Sequence, residues 1–354
     1  MRYLKIILAA ILFVGCEEYF NPGTDEQEPV YVFSGQVTDQ PGPYRVKITK
    51  TSGYNSKNET ITDAKVYIEC NDGRSYGLKC DTSGTYLTDS AQFVGEVGKA
   101  YKLVAILADG QQFESSREEL LPCPDVDKID GTYYESKKIT TVAGRYVDEV
   151  EFGICATNTT TAAGFTPCYR YECKIVMQVR QHYPGAIPIE RYVYRPLTLT
   201  NSLFIADAND YIDNKIIDNK LYKTSTNALH VGIVLDDPGP GEFEVRNCGE
   251  FIRVKQYSID EKQYKYWKAV KDQQESTNYL FGQVENQPIG NMRGKNGETA
   301  FGYFCVSAVK QNICALSLNE TKKIVRRYEI NYFPDIDTVA YYKEMQDFTI
   351  MFEN

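Results

Sequence analysis

Residues 30–52 read VYVFSGQVTDQPGPYRVKITKTS, and their pattern decides the fold class. In the second half Val46 and Ile48 alternate with Arg45, Lys47 and Thr49. A period of two sends successive side chains to opposite faces of a sheet, so this is a strand with one wet face. The first half reads as its partner strand, and the Pro41-Gly42 step between them as the turn. Working outward, residues 64–80 (AKVYIEC, NDG, RSYGLKC) repeat the hairpin pattern around Asp72-Gly73. Residues 82–86 form a turn into another strand. Residues 99–115 (KAYKLVAILADGQQFES) give two strands about Asp109-Gly110. Short strands with closely spaced turns predict a β-sandwich over residues 30–120.

The order of these strands resembles transthyretin-like or Ig-like sandwiches, modules that bind or brace and rarely catalyse. Pro122 and Pro124 mark a boundary, and residues 125–354 read as a second β-rich unit. Between about 183 and 250 the pattern weakens into loops with short strands, the place expected to carry specificity. One convincing helix follows, over about 258–276, with Ser258 and Glu261 spaced as a capping box. Within it Trp267, the chain's only tryptophan, reads as the anchor that pins the helix to a sheet. The fold class is therefore mostly β: an N-terminal sandwich, then a β-rich domain with one capped helix.

The chain starts MRYLKIILAAILFVGC. Arg2 and Lys5 precede an apolar run over residues 6–14, and Gly15 sits just before Cys16. The run is too short to cross a bilayer as a helix and reads as a secretory signal. It resembles a bacterial lipoprotein signal, with Phe13 where such boxes usually carry Leu. Residues 1–16 are then the signal with its lipobox, and Cys16 becomes the acylated N-terminus. Multiple acyl chains on one cysteine, at roughly 0.8 kcal/mol per buried methylene, hold a protein to a membrane. The acidic, proline-containing residues 17–29 read as a flexible tether.

Composition excludes several functions. The net charge of −9 lacks the basic footprint of a nucleic-acid binder, so no nucleic acid is expected as partner. Besides Cys16 there are nine cysteines, an odd number in a disulfide-permissive compartment. The hairpin at Asp72-Gly73 should set Cys80 opposite Lys65 and away from Cys70. Cys168 and Cys173 sit on opposite faces of one strand. Cys305 and Cys314 flank a turn and are near enough for a bridge. No CxxC, HExxH, GxSxG or GxxxxGK[ST] occurs, and the two histidines, His182 and His230, stand apart from any such pattern. The expectation is no enzyme, no catalytic residues, no metal and no cofactor. Asp207, Asn209, Asp210 and Asp213 carry oxygens suited to calcium but lack the spacing of an EF-hand loop. Residues 290–295 (GNMRGK) lack the strand and helix that flank a phosphate loop. The 28 tyrosines suit strands and also recognition surfaces, and Tyr183, Tyr192, Tyr194 and Tyr211 are the candidates for ligand contact.

These residues together resemble a known family. The carrying stretches are residues 32–55, 99–115, 254–277 (VKQYSIDEKQYKYWKAVKDQQEST), 291–294 (NMRG) and 302–309 (GYFCVSAV), with 253–309 the most specific block. The chain is similar to the Bacteroidetes outer-membrane lipoproteins catalogued as domain of unknown function 4249. Members are generally encoded beside TonB-dependent transporters. The resemblance implies a lipid-anchored, surface-facing outer-membrane accessory protein. Its implied partners are such a transporter, the membrane itself and an unknown nutrient ligand, which it would help capture or gate. It transfers no catalytic residue. The competing expectations are a surface hydrolase, glycosidase or peptidase, acting before import, and an adhesin or structural envelope protein.

Overall fold

The computed structural model describes residues 29–52, 57–89, 93–134, 149–157, 160, 164–183, 189–197, 203–207, 211–212, 215–216, 222–225, 244–276, 288–319 and 324–331. Cys16, residues 17–28 of the tether, His230 and Cys248's side chain lie outside that description.

Mostly β is what the chain adopts, in three sheets. The first has eleven strands. β1 (Tyr31–Thr38) pairs antiparallel with β2 (Arg45–Lys50), Phe33 opposite Ile48 and Gly35 opposite Val46. Val46 and Ile48 are buried while Arg45 and Lys47 are exposed, so the alternation read from the sequence is realised. The sheet continues through β4 (Lys65–Cys70), β5 (Ser75–Cys80), β6 (Thr85–Leu87), β7 (Ala100–Ile106) and β8 (Gln112–Ser115). The two-residue strands β3 (Glu59–Thr60) and β9 (Glu118–Glu119) attach to β2 and β7. Inside lie Phe33, Ile48, Ile68, Leu103, Phe113 and Phe304.

The ends of this sheet come from far along the chain. β19 (Met292–Gly294) pairs with β8, and β20 (Ala300–Ser307) runs parallel to β1 over its whole length. Residues 292–307, read from sequence as part of the second unit, thus complete the sheet of the first. Asn291 joins the two ends. Its side-chain amide accepts from the Phe304 N–H (2.9 Å) and donates to the Phe304 carbonyl (3.0 Å), imitating a backbone pair where no ladder forms. The sheet is nearly barrel-shaped as a result.

The second sheet contains β10 (Val126–Tyr134), β11 (Glu149–Thr157), β15 (Tyr211–Ile212), β16 (Lys215–Ile216) and β17 (Tyr222–Ser225). The third contains β12 (Cys168–Tyr183), β13 (Ile189–Leu197), β14 (Phe204–Ala206), β18 (Glu244–Ile259), β21 (Val309–Asn319) and β22 (Ile324–Glu329). Ile129 and Ile154 from the second pack with Tyr169, Tyr171, Ile252 and Leu316 from the third, so the two sheets share one core. The stretch expected to be loop-rich contains a regular nine-residue strand, β13, laddered along β12.

Several local expectations change. The helix α1 spans Glu261–Ser276, and its cap is Asp260, not Ser258. Asp260 Oδ1 accepts from the Gln263 N–H at 2.8 Å. Ser258 belongs to the end of β18, and its hydroxyl donates to the Leu121 carbonyl at 2.7 Å. A serine with a buried carbonyl within reach satisfies that group first, which leaves capping to the next acid. In the β4–β5 hairpin Val66 faces Leu78. The register is one residue tighter than the expected Cys80–Lys65 pairing, and Cys80 faces Tyr86 instead. Cys305 and Cys314 are both free thiols. The chain turns at Ala308, sending Cys305 into the first sheet beside β1 and Cys314 into the third beside β18, so no bridge forms.

Candidate functional site

A cleft of about 440 Å³ opens where β8, β19, β20 and α1 meet. Its walls are Glu114, Ser115 and Ser116 on one side, Ile289, Gly290, Asn291 and Arg293 on another, and Lys262 and Tyr303 across from them. The β8–β19 ladder sets Arg293 opposite Glu114. Asp260 starts α1 so that Lys262 falls in its first turn. Gly290 lets the wall lie on β20, since a Cβ there would stand 1.9 Å from the Gly302 carbonyl oxygen.

Behind the wall sits Glu118, almost wholly buried. Its carboxylate accepts from the Ser116 hydroxyl in a short hydrogen bond and from Asn291 Nδ2 at 3.3 Å. Burial pushes its pKa up, the two donors oppose this, and nearby Asp260 adds to the rise. Tyr303 is 5% exposed, and its hydroxyl is closed off from solvent beside Glu118. Burial raises its pKa, and the neighbouring Glu118 and Asp260 carboxylates raise it further. The tyrosine therefore stays a neutral hydroxyl. Its ring packs on Tyr266 with centroids 4.8 Å apart. Arg293 Nη1 donates to the Met292 carbonyl (2.8 Å) and the Gly290 carbonyl (3.4 Å). The Lys262 charge acts on Glu118 and opposes the rise in its pKa, and Arg293 stands across the ladder from Glu114.

A second polar cluster joins the two units. The Arg170 guanidinium lies 4.3 Å from the Tyr257 ring and 5.0 Å from the Trp267 ring. It donates to Glu172 at 2.9 Å and reaches Gln36 of the first sheet at 3.4 Å. Tyr257 donates to the same Glu172 carboxylate at 2.9 Å. Trp267 packs edge-on against Tyr266. With its charge paired and its faces covered, Arg170 braces α1 between sheets and offers no site.

The tyrosines singled out from sequence fall elsewhere. Tyr192 and Tyr194 lie on β13 opposite Arg180 and Gln178, Tyr183 ends β12 opposite Ile189, and Tyr211 lies in the second sheet. Their side chains are outside the described residues. Of the calcium candidates Asp207 is described, and its Oδ2 accepts from the Tyr264 hydroxyl at 3.4 Å; Asn209, Asp210 and Asp213 lie outside. Among the described residues no three His, Cys, Asp or Glu side chains group as metal ligands. No described helix is long and apolar enough to cross a membrane. Sequence reasoning missed Glu118, Lys262, Arg293 and Tyr303, because their nearness depends on β19 and β20 joining the first sheet. The glycines of residues 290–295 were the available signal, and they serve close backbone approach instead of phosphate binding.

The family model described as "Domain of unknown function (DUF4249)" matches residues 17–313. No curated protein matches. Among solved structures, a partial N-terminal region of an Enterococcal surface protein aligns at 9% identity with a TM-score of 0.15. That alignment covers 68% of this chain and 92% of the other, and a likeness so low carries no argument.

Proposed function

We propose a function from one premise: the chain belongs to the family described as Domain of unknown function (DUF4249). The protein is a lipid-anchored accessory component of a TonB-dependent outer-membrane transporter, facing the cell surface, and it captures or gates a nutrient without transforming it. The observation that carries this reading is Cys16, preceded by Gly15, an apolar run and two cations. The acidic tether after it gives reach between lipid and fold. The cleft favours binding over hydrolysis. Glu118 is tied to Ser116 and Asn291, and the neighbouring acid, Asp260, is occupied as the cap of α1. Paired carboxylate catalysis needs two acids open to the scissile bond.

The test is affinity purification of the C-terminally tagged protein from outer membranes in mild detergent, with intact-mass analysis. The expected result is a stoichiometric TonB-dependent barrel and a mass showing cleavage before an acylated Cys16. Recovery of an unacylated protein without a barrel would refute the proposal. Turnover of oligosaccharides or peptides, abolished by one carboxylate substitution, would establish a surface hydrolase instead.

A further inference from the structure

We infer that Glu118 is a proton-operated latch on the seam of the first sheet, where β19 and β20 meet: with its proton the seam stays shut, and losing the proton frees Asn291 and loosens the cleft wall. This goes beyond the proposed function and does not depend on it.

The geometry of the seam carries it. No ladder joins β19 to β20, and Asn291 supplies the bridge through its two bonds to Phe304. The same amide nitrogen of Asn291 also donates to Glu118 Oε1, so one side chain serves both the seam and the carboxyl group. Ser116 donates to that same oxygen, so Oε2 can carry a proton without breaking either bond. Ile289, Gly290, Asn291 and Arg293 wall the cleft, and releasing Asn291 loosens that wall. Glu118 itself is 4% exposed, and a negative charge so deep is unfavourable unless it is fully compensated.

The groups facing Glu118 decide what its proton does. From β20 come the Tyr303 hydroxyl and the Cys305 thiol, both kept protonated at neutral pH by burial. From α1 come Asp260, which disfavours a second negative charge, and Lys262, which favours one. Lys262 is exposed, so water weakens its pull. Across the β9–β7 ladder stands Tyr101, whose hydroxyl accepts from the Glu96 N–H, and the adjacent Arg117 reaches instead to Glu69 at 3.8 Å. Burial outweighs Lys262 and the two hydrogen-bond donors, so Glu118 holds its proton more tightly than a free carboxyl group does. Opening the seam hydrates the group and returns it to an ordinary acid. The closed seam is therefore favoured in acid and is lost progressively as pH rises through the raised value.

The test is amide hydrogen exchange of the full-length protein from about pH 4 to about pH 8, each rate taken relative to an unstructured peptide at the same pH. The Phe304 N–H, bonded to Asn291 Oδ1, reports the seam, and the amides of the β4–β7 ladder report the body of the sheet. Protection of Phe304 is expected to fall by up to about tenfold per pH unit above the ordinary carboxylate range and then to level off, while the β4–β7 ladder loses less. Glu118→Gln should abolish the fall. Asp260→Asn, which still caps α1, should make it level off at lower pH, and Lys262→Gln at higher pH. Those two opposite shifts decide the matter if Glu118→Gln does not fold. The inference is overturned by Phe304 protection that ignores pH, or by an equal fall in the β4–β7 ladder, which would be a change in global stability alone. A fall that survives in Glu118→Gln or vanishes in Asp260→Asn overturns it too, as do shifts of the same sign in Asp260→Asn and Lys262→Gln.

Discussion

Replacing Gly302 with alanine tests the junction on which the first sheet depends. Gly302 has φ +92° and lies opposite Phe33 in the parallel β1–β20 ladder. An added Cβ would sit 1.9 Å from the Phe33 carbonyl oxygen, more than an ångström inside the closest approach real Cβ atoms make. Two penalties combine. The positive φ costs an L-residue about 1–2 kcal/mol. Relieving the collision means prising β20 from β1, an overpacking strain of about 1–3 kcal/mol. The expected loss is about 2–5 kcal/mol. Gly110 separates the two contributions, since its φ is +88° but nothing lies within 4 Å of its virtual Cβ. Gly110→Ala should therefore lose only the backbone share, about 1–2 kcal/mol. The assay is urea unfolding under reducing conditions, followed by Trp267 fluorescence and far-UV circular dichroism, with comparable m-values required before free energies are compared. Trp267 reports the contact between α1 and β20 directly. Losses equal within about 0.5 kcal/mol in the two variants would refute the argument that backbone collision, and not φ alone, demands glycine at Gly302.

Glu118 predicts a pH dependence. Its folded pKa is raised, so the folded state binds the proton more tightly and stability falls as pH rises from the ordinary carboxylate range through the raised value. Glu118→Gln should accordingly be more stable than the wild type at neutral pH, with the advantage vanishing in acid; a pH-independent difference in urea midpoint would contradict this. Asp260→Ala should cost about 1 kcal/mol and speed amide exchange at Gln263, whose N–H it caps. Ser258→Ala should leave that amide protected, yet destabilise by about 1–3 kcal/mol through the orphaned Leu121 carbonyl. Burial pushes the Cys305 and Cys314 thiols up to about 12 and about 11. Both should resist alkylation at pH 8 until urea is added, as read by peptide mass spectrometry, and rapid native labelling of Cys305 would show the α1–β20 layer to be open.

Much of the local structure was legible in the chain. The alternation of residues 45–50, the turns at Asp72-Gly73 and Asp109-Gly110 and the helix after residue 260 were all readable, because each depends on neighbours in sequence. The helix cap was misread for the same reason in reverse. Ser258 has the right residue type and spacing, but a carbonyl 137 positions away in sequence takes its hydroxyl. The cleft was not legible at all. Glu118 in a two-residue strand, Lys262 in a helix and Tyr303 in a late strand share no motif. They meet because residues 292–307 return to complete the first sheet.

The sequence alone therefore determined the β class, the positions of most turns and membership of a family, since period, turn chemistry and family pattern are written along the chain. Only the tertiary structure decided how the sheet closes and where a ligand could sit. Closure rests on the Asn291–Phe304 amide pair and on two glycines that let backbones touch. Those are contacts between distant segments, and their energy exists only once the chain has folded and excluded water from between them.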